Sequence, residues 1–173
     1  YVIELITNFY FKKLDGWVSY TYSRTERTVP EINNGNTYLA PYDKPHDLTV
    51  LLSYEPNPRH AFSANWVYST GNPVTLPSGR FEYGGVTAPV YTDRNAYRMP
   101  DYHRLDVSYT FYSKPKPNRK WEWDLNVSCY NVYGRKNAWS INFEEDENNP
   151  GQMKAIKTYL FAQVPSVTFN FEF

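Results

Sequence analysis

The sequence has a single cysteine, no excess of either charge and no long apolar run, and each of these absences excludes a class of protein. Cys129 is the only cysteine, so an internal disulfide framework and a multi-cysteine zinc site are both excluded. Basic and acidic residues balance at 18 each, which argues against a nucleic-acid partner, because such a partner binds a basic surface. No apolar run approaches the roughly 18 residues that a membrane helix needs.

The start of the chain gives a further expectation about its origin. We find no signal-peptide pattern there, and Tyr1 is not an initiator methionine. We therefore expect the chain to be either processed or a piece of a longer protein.

What the sequence has in abundance is aromatic residues, among them 17 tyrosines, set in alternating patterns. Bulky apolar and polar residues take turns over stretches of about ten residues, and this period of two predicts β-strands. Helical periodicity is absent. The predicted strands lie at about 2–11, 17–27, 46–55, 60–70, 103–113, 121–133 and 164–173. The first of them is mostly apolar, so its two faces stay undecided.

The connections between these strands alternate between short and long. The short ones are the turns KKLDG, PNPR and KPKPNRK, and the long ones cover 28–45, 71–102 and 134–160. In KKLDG we expect the glycine to adopt a positive φ, which costs glycine little. An outer-membrane barrel has short periplasmic turns and long external loops, and ten residues suit a strand that crosses a bilayer at a tilt.

These regularities predict an all-β fold, an antiparallel up-and-down transmembrane β-barrel. A soluble β-sandwich also alternates, but it explains neither the even strand lengths nor the long connections at one end only. If the C-terminus is periplasmic, the long loops lie outside the cell.

The two faces of the predicted strands suit lipid on one side and water on the other. The polar face carries Arg104 and Asp106, which are tolerable against a wet lumen but costly against lipid. Aromatic residues lie near the strand ends, where membrane interfaces favour them. On the short-turn side these are Tyr54, Tyr112, Trp121 and Trp123. Trp17 is an exception, because its position in the alternation directs it inward.

Six stretches, taken together, resemble the C-terminal barrel of TonB-dependent outer-membrane receptors in the form found in Bacteroidota. They are, in order, DGWVSYTYSRTER, YDKPHDLTVLLSYEPN, STGNPVTLP, RNAYRMPDYHRLDVSYTF, YNVYGRKNAWSINF and PSVTFNFEF. The resemblance covers nearly the whole of residues 1–173. It implies a barrel of about 22 strands that is plugged by an N-terminal domain. Seven strands cannot close a plugged lumen of that size, so we expect the C-terminal third of the barrel, without its plug.

The resemblance also implies a function and a set of partners. The expected function is TonB-dependent active uptake of an external nutrient, such as a siderophore, glycan, peptide or cobalamin, across the outer membrane of a Gram-negative cell. The implied partners are membrane lipid, the N-terminal strands and plug of the same protein, the TonB complex and the barrel-assembly machinery. A surface lipoprotein is a further candidate partner. The alternative is a non-transporting scaffold or adhesin that acts through its loops. No cofactor is implied.

The last strand carries a second implication of the resemblance. Its apolar face consists of Val167, Phe169, Phe171 and Phe173. An alternating strand that ends on an aromatic residue resembles the signal read by the barrel-assembly machinery, which can add such a strand to its own sheet edge. The alternative is a strand that needs an apolar outer face and nothing more.

One polar cluster precedes and enters the fifth predicted strand. Its members are the candidate ligand-binding residues Arg94, Tyr97, Arg98, Asp101, His103, Arg104 and Asp106. The competing and favoured interpretation is a charge lattice that satisfies the inner wall, since barrel interiors are polar. A metal site is not predicted, because a competent site needs three or four ligands.

The remaining polar and aromatic features give weaker predictions. The 71–102 stretch mixes tyrosines and arginines, which suits an external binding surface but is also usual in tyrosine-rich loops. The acidic 144–149 stretch is a solvated loop or a weak calcium site. Catalysis is not predicted, because no nucleophile elbow or metal-hydrolase spacing is present.

Overall fold

The structure is a computed structural model that describes residues 1–84, 86–114, 121–145 and 153–173. These residues form fifteen β-strands and one short 3-10 turn, Asn33–Gly35. The strands are β1 (Val2–Phe11), β2 (Leu14–Ser23), β3 (Glu26–Arg27), β4 (Tyr38–Leu39), β5 (His46–Asn57), β6 (His60–Ser69), β7 (Pro73–Val74), β8 (Pro77–Tyr83), β9 (Val86–Tyr91), β10 (Tyr97–Arg98), β11 (Tyr102–Tyr112), β12 (Glu122–Tyr130), β13 (Ser140–Glu145), β14 (Met153–Thr158) and β15 (Val164–Glu172). No helix in this part of the chain is long and apolar enough to cross a membrane.

The seven long strands form one antiparallel sheet in the order β1-β2-β5-β6-β11-β12-β15. Each long strand pairs with the long strand that follows it in the chain, so the sheet is an up-and-down meander. The predicted all-β, antiparallel class and the seven strands are confirmed. The sheet is open and does not close into a barrel. Within the described residues, β1 and β15 each pair on one side only.

The register brings the apolar residues of neighbouring strands to the same face of the sheet. Val50 of β5 lies between Val18 of β2 and Trp66 of β6, and Leu105 of β11 follows on the other side of Trp66. A slip of one residue would move each apolar set to the opposite face, so the alternation specifies this register.

The register also decides the faces of β1, which the sequence leaves open. Leu5 lies opposite Tyr20 and Phe9 lies opposite Gly16, so the odd-numbered residues of β1 continue the apolar face. Its even-numbered residues continue the polar face.

Trp17 and Tyr112 both lie on the polar face. Trp17 lies between Asn8 and Leu51, as its position in the alternation predicts. Tyr112 lies opposite Asp124, which places it among the polar residues. The prediction that Tyr112 belongs with the apolar aromatic residues near the short turns is therefore wrong.

The first hairpin is tighter than predicted. Only Lys12 and Lys13 separate β1 from β2, and Lys12 itself has the positive φ of 57°. Gly16 lies inside β2, where a Cβ atom would come within 2.7 Å of the Phe9 ring. The absence of a side chain at Gly16 therefore leaves room for the Phe9 ring over β2. The predicted role of Gly16 in the turn is wrong.

The long connections all leave from one end of the sheet, and they contain small hairpins. The pairs are β3 with β4, β7 with β10, β8 with β9, and β13 with β14. The predicted loops at 28–45, 71–102 and 134–160 are thus partly β-structure. Most of the KPKPNRK turn and residues 146–149 of the acidic stretch lie outside the described residues.

The sheet leaves much of its apolar side exposed. The accessible surface is 12261 Å², whereas an ordinary folded monomer of this mass exposes about 8,800 Å². Among the described residues, only Tyr38 and Ala40 are buried hydrophobic residues. The described residues therefore enclose little apolar core, and the large apolar side chains of the sheet are exposed or half-buried.

Candidate ligand-binding site

A buried ion pair lies at the end of the sheet from which the long connections leave. Asp43 is 1% exposed and its carboxylate is paired with the Arg98 guanidinium. Arg98 also donates hydrogen bonds to the main-chain oxygens of Asp43 and Gly71, both at 3.0 Å. The backbone N–H of Thr25 donates to Asp43 Oδ1 at 2.6 Å. Arg98 thus joins the first and second long connections.

A second carboxylate extends this network toward the sheet. Asp101 accepts a hydrogen bond from the Tyr68 hydroxyl at 2.7 Å and another from the Gly71 backbone N–H at 3.0 Å. The Tyr68 bond first, and the Gly71 bond next, lower the pKa of Asp101 below its ordinary value of 3.8. A Cβ atom at Gly71 would overlap the Met99 carbonyl, so only glycine permits this close approach.

Arg104 and Asp106 form a third group on the polar face of β11. Arg104 Nε donates to Asp106 Oδ2 at 2.9 Å, and the guanidinium lies over the Tyr130 ring with its carbon 4.1 Å from the centroid. Asp106 Oδ1 accepts the Asn131 backbone N–H at 2.9 Å. Both charges therefore have partners within the chain.

His103 connects β11 to the third long connection. Its Nδ1 lies 2.8 Å from the Tyr133 hydroxyl, and its backbone N–H and C=O both bond the Asn137 side chain. Arg135 donates to the Asp101 carbonyl at 3.0 Å. These bonds hold residues 133–137 against the start of β11.

The other two candidates, Arg94 and Tyr97, stand apart from this network. Arg94 is held through its main chain, whose N–H donates to Asn33 Oδ1 at 2.7 Å and whose carbonyl accepts from Asn33 Nδ2 at 3.1 Å. Tyr97 pairs with Val74 in the β7–β10 ladder and stays exposed. The structure thus brings Arg98, Asp101 and His103 into one network. Asn131 joins the Arg104–Asp106 pair to it, because it bonds both Asp106 and Arg135. Two of the seven predicted residues stay outside.

A cavity of about 820 Å³ lies beside this network, between two of the hairpins. Its size is typical of ligand pockets. The lining residues are Pro41, residues 72–77, Gly79, Arg80, Pro89, Tyr91, Met99, Trp139 and residues 140–143. Two network residues, Gly71 and Arg98, directly precede the lining residues Asn72 and Met99 in the chain. The buried network therefore holds in place two of the segments that line the cavity, at Asn72 and Met99.

Trp139 connects this cavity to two smaller depressions. Its side chain is 70% exposed, and it lines the 820 Å³ cavity and neighbouring depressions of about 410 and 220 Å³. The prediction that residues 134–160 form a loop without strands is wrong here, and Trp139 is not among the predicted site residues. The alternation of Trp139, Ile141 and Phe143 with polar residues could have identified the strand.

The C-terminal strand lies at the opposite edge of the molecule's long sheet from β1. Phe169 of β15 packs against Trp123, with ring centroids 5.8 Å apart, and Phe171 packs against Trp121 at 5.4 Å. Val167 lies opposite Val127, and Phe173 follows the strand's last residue. All four predicted residues are exposed. The outer edge of β15 has no strand partner in the described residues.

Metal-ligating side chains are dispersed in the part of the chain that the structure describes. No three His, Cys, Asp or Glu residues there could hold a metal ion together. Cys129 lies opposite Val107 and Pro165 on the apolar face, as its position in the alternation predicts.

No protein-family model, curated protein or solved structure matches the chain.

Proposed function

We propose that the chain is the C-terminal part of a transmembrane β-barrel of about 22 strands, belonging to a TonB-dependent receptor of the outer membrane. The observation that carries this proposal is the single-layered, seven-stranded meander with one continuous apolar face. A sheet of this kind requires hydrocarbon on one side and water on the other. The open edges at β1 and β15 would pair with the remaining barrel strands.

The function that we propose is active uptake of an external nutrient. The cavity beside the buried network lies at the end of the sheet with the long connections, which the proposal places outside the cell. A ligand would bind there and pass into the lumen when the TonB complex moves the plug. Arg104, Asp106 and the other polar residues of the inner face would border that aqueous path.

The proposal is tested by the size and the start of the native protein. Protein extracted from outer membranes with detergent should have several times the 20.4 kDa of this chain, and its N-terminal part should contain a plug. Uptake of its ligand should stop in cells that lack TonB. A native product of only this size would overturn the transport function and favour a scaffold or adhesin.

A further inference from the structure

We propose that the cavity binds an extended peptide, which adds to the free edge of β13 as a further strand. This inference rests on the proposed function, because it names the ligand class of the same site.

The first observation is how β13 borders the cavity. Four consecutive residues, 140–143, line it. Side chains of a strand alternate between two faces, so a strand that contributes every residue in a run presents its backbone edge to the cavity. In the described residues β13 pairs only with β14, and this cavity-facing edge carries main-chain groups without a strand partner.

The second observation explains why the opposite wall leaves this edge open. That wall is the extended segment 72–77, in which Pro73 and Pro77 have no backbone N–H to donate. The carbonyl of Asn72 already accepts from the Met99 N–H at 2.9 Å, and that of Leu76 accepts from the Thr92 N–H at 3.1 Å. The wall therefore offers β13 fewer main-chain partners than an ordinary strand of the same length would.

The third observation concerns the chemistry of the occupant. Arg80 is the one charged residue among the described lining residues, and the rest are apolar, aromatic, proline, glycine or uncharged polar residues. Strand addition takes its affinity from main-chain hydrogen bonds and its specificity from pockets for alternate side chains. The ligand is thus a peptide with apolar side chains at alternate positions.

The length of the contact follows from the geometry of the strand. Four lining residues at about 3.4 Å each span about 14 Å, so about four peptide residues lie against β13. Trp139 stands directly before the strand and lines two further depressions. A longer peptide would continue across the exposed indole into them.

The test uses the native protein purified in detergent and a randomised library of hexapeptides with acetylated N-termini and amidated C-termini. A recovered peptide is then made in two forms, with N-methyl groups on its odd or on its even residues. In an added strand, alternate residues direct their N–H groups to the same partner. One methylated series should therefore bind about tenfold weaker or worse, while the other stays within about threefold of the parent.

The position of the peptide is checked by photo-crosslinking. A benzophenone on the peptide should mark residues 139–143 or 72–77. The proposal is overturned if both methylated series bind like the parent or lose affinity equally, if the cross-links lie elsewhere, or if cellohexaose binds and no peptide does.

This experiment is independent of the transport proposal. Binding is measured without TonB, so failure to bind peptides leaves TonB-dependent uptake of another ligand class intact. Conversely, a native product without a plug would remove transport and leave the peptide result standing.

Discussion

Val107 offers the sharpest test of which environment the apolar face requires. It is the central residue of the eleven-residue strand β11, and it lies between Ala64 and Cys129 on the apolar face. Its side chain is 37% exposed. The proposed function places hydrocarbon against it, so a charged side chain here would enter lipid.

The expected cost follows from the depth of this position. Five residues separate Val107 from either end of β11, which is about 13 Å along the membrane normal for a strand tilted by about 40°. Val107 therefore lies near the centre of an apolar band about 25 Å tall, where arginine costs about 2–4 kcal/mol. If water covered the face, Val107→Arg would change the free energy of unfolding by only about 0.5 kcal/mol.

Asn65→Arg is the matched control, because it adds the same side chain at nearly the same depth on the other face. Asn65 lies directly opposite Asp106, whose carboxylate favours a neighbouring cation, so we expect a change below about 1 kcal/mol. The assay is reversible urea unfolding of the native protein in phospholipid vesicles, followed by tryptophan fluorescence. Equal effects of the two substitutions would refute the assignment of the apolar face to lipid.

Three further predictions concern Gly71, the C-terminus and pH. Gly71→Ala should destabilise the protein by about 1–3 kcal/mol and weaken ligand binding, because its Cβ would overlap the Met99 carbonyl. Gly79→Ala is the control: its Cβ would enter open space, so the free energy of unfolding should stay within about 0.5 kcal/mol of the parent. Denaturant unfolding and ligand titration of both variants check this. Phe173→Ala should lower the amount of assembled protein in the outer membrane with little effect on unfolding of the assembled protein, since Phe173 is 92% exposed; equal membrane levels would contradict an assembly role. Asp101 has a lowered pKa in the folded protein. Its stabilising effect should therefore be full above its unfolded pKa of about 3.9 and be lost as pH falls through the lower folded value. Asp101→Asn should have a lower unfolding midpoint than the parent at pH 7, and the two midpoints should converge in stronger acid.

The seven-stranded sheet could be predicted because its strands obey one simple period over about ten residues each. Alternation fixes which residues share a face, and sharing a face fixes the register. The error in the first hairpin lies where the backbone departs from ordinary conformational preferences. Lys12 takes a positive φ that lysine rarely adopts. The sequence predicts that conformation at Gly16, four residues later, and therefore places the start of β2 at residue 17 instead of Leu14.

The cavity could not be predicted, because its walls come from segments that are distant in sequence. Residues 72–77 contain prolines that argue against a central strand, and β13 is only six residues long. Short strands of this kind do not differ from loops in composition alone. Bonds between distant residues bring their supporting segments together, among them the Asp43–Arg98 pair, 55 residues apart in the chain, and the bond from Arg135 to Asp101, 34 residues apart.

The same ion pair explains why the charged cluster is better suited to support a ligand site than to bind the ligand itself. A carboxylate ligand that took Arg98 from Asp43 would leave Asp43 buried without its cation, which costs about 3–5 kcal/mol. A new hydrogen bond to a charged group returns about 1.5–3 kcal/mol. Exchange is therefore unfavourable, and ligand discrimination falls to the cavity walls and to the exposed indole of Trp139, whose contacts with a ligand break no buried pair.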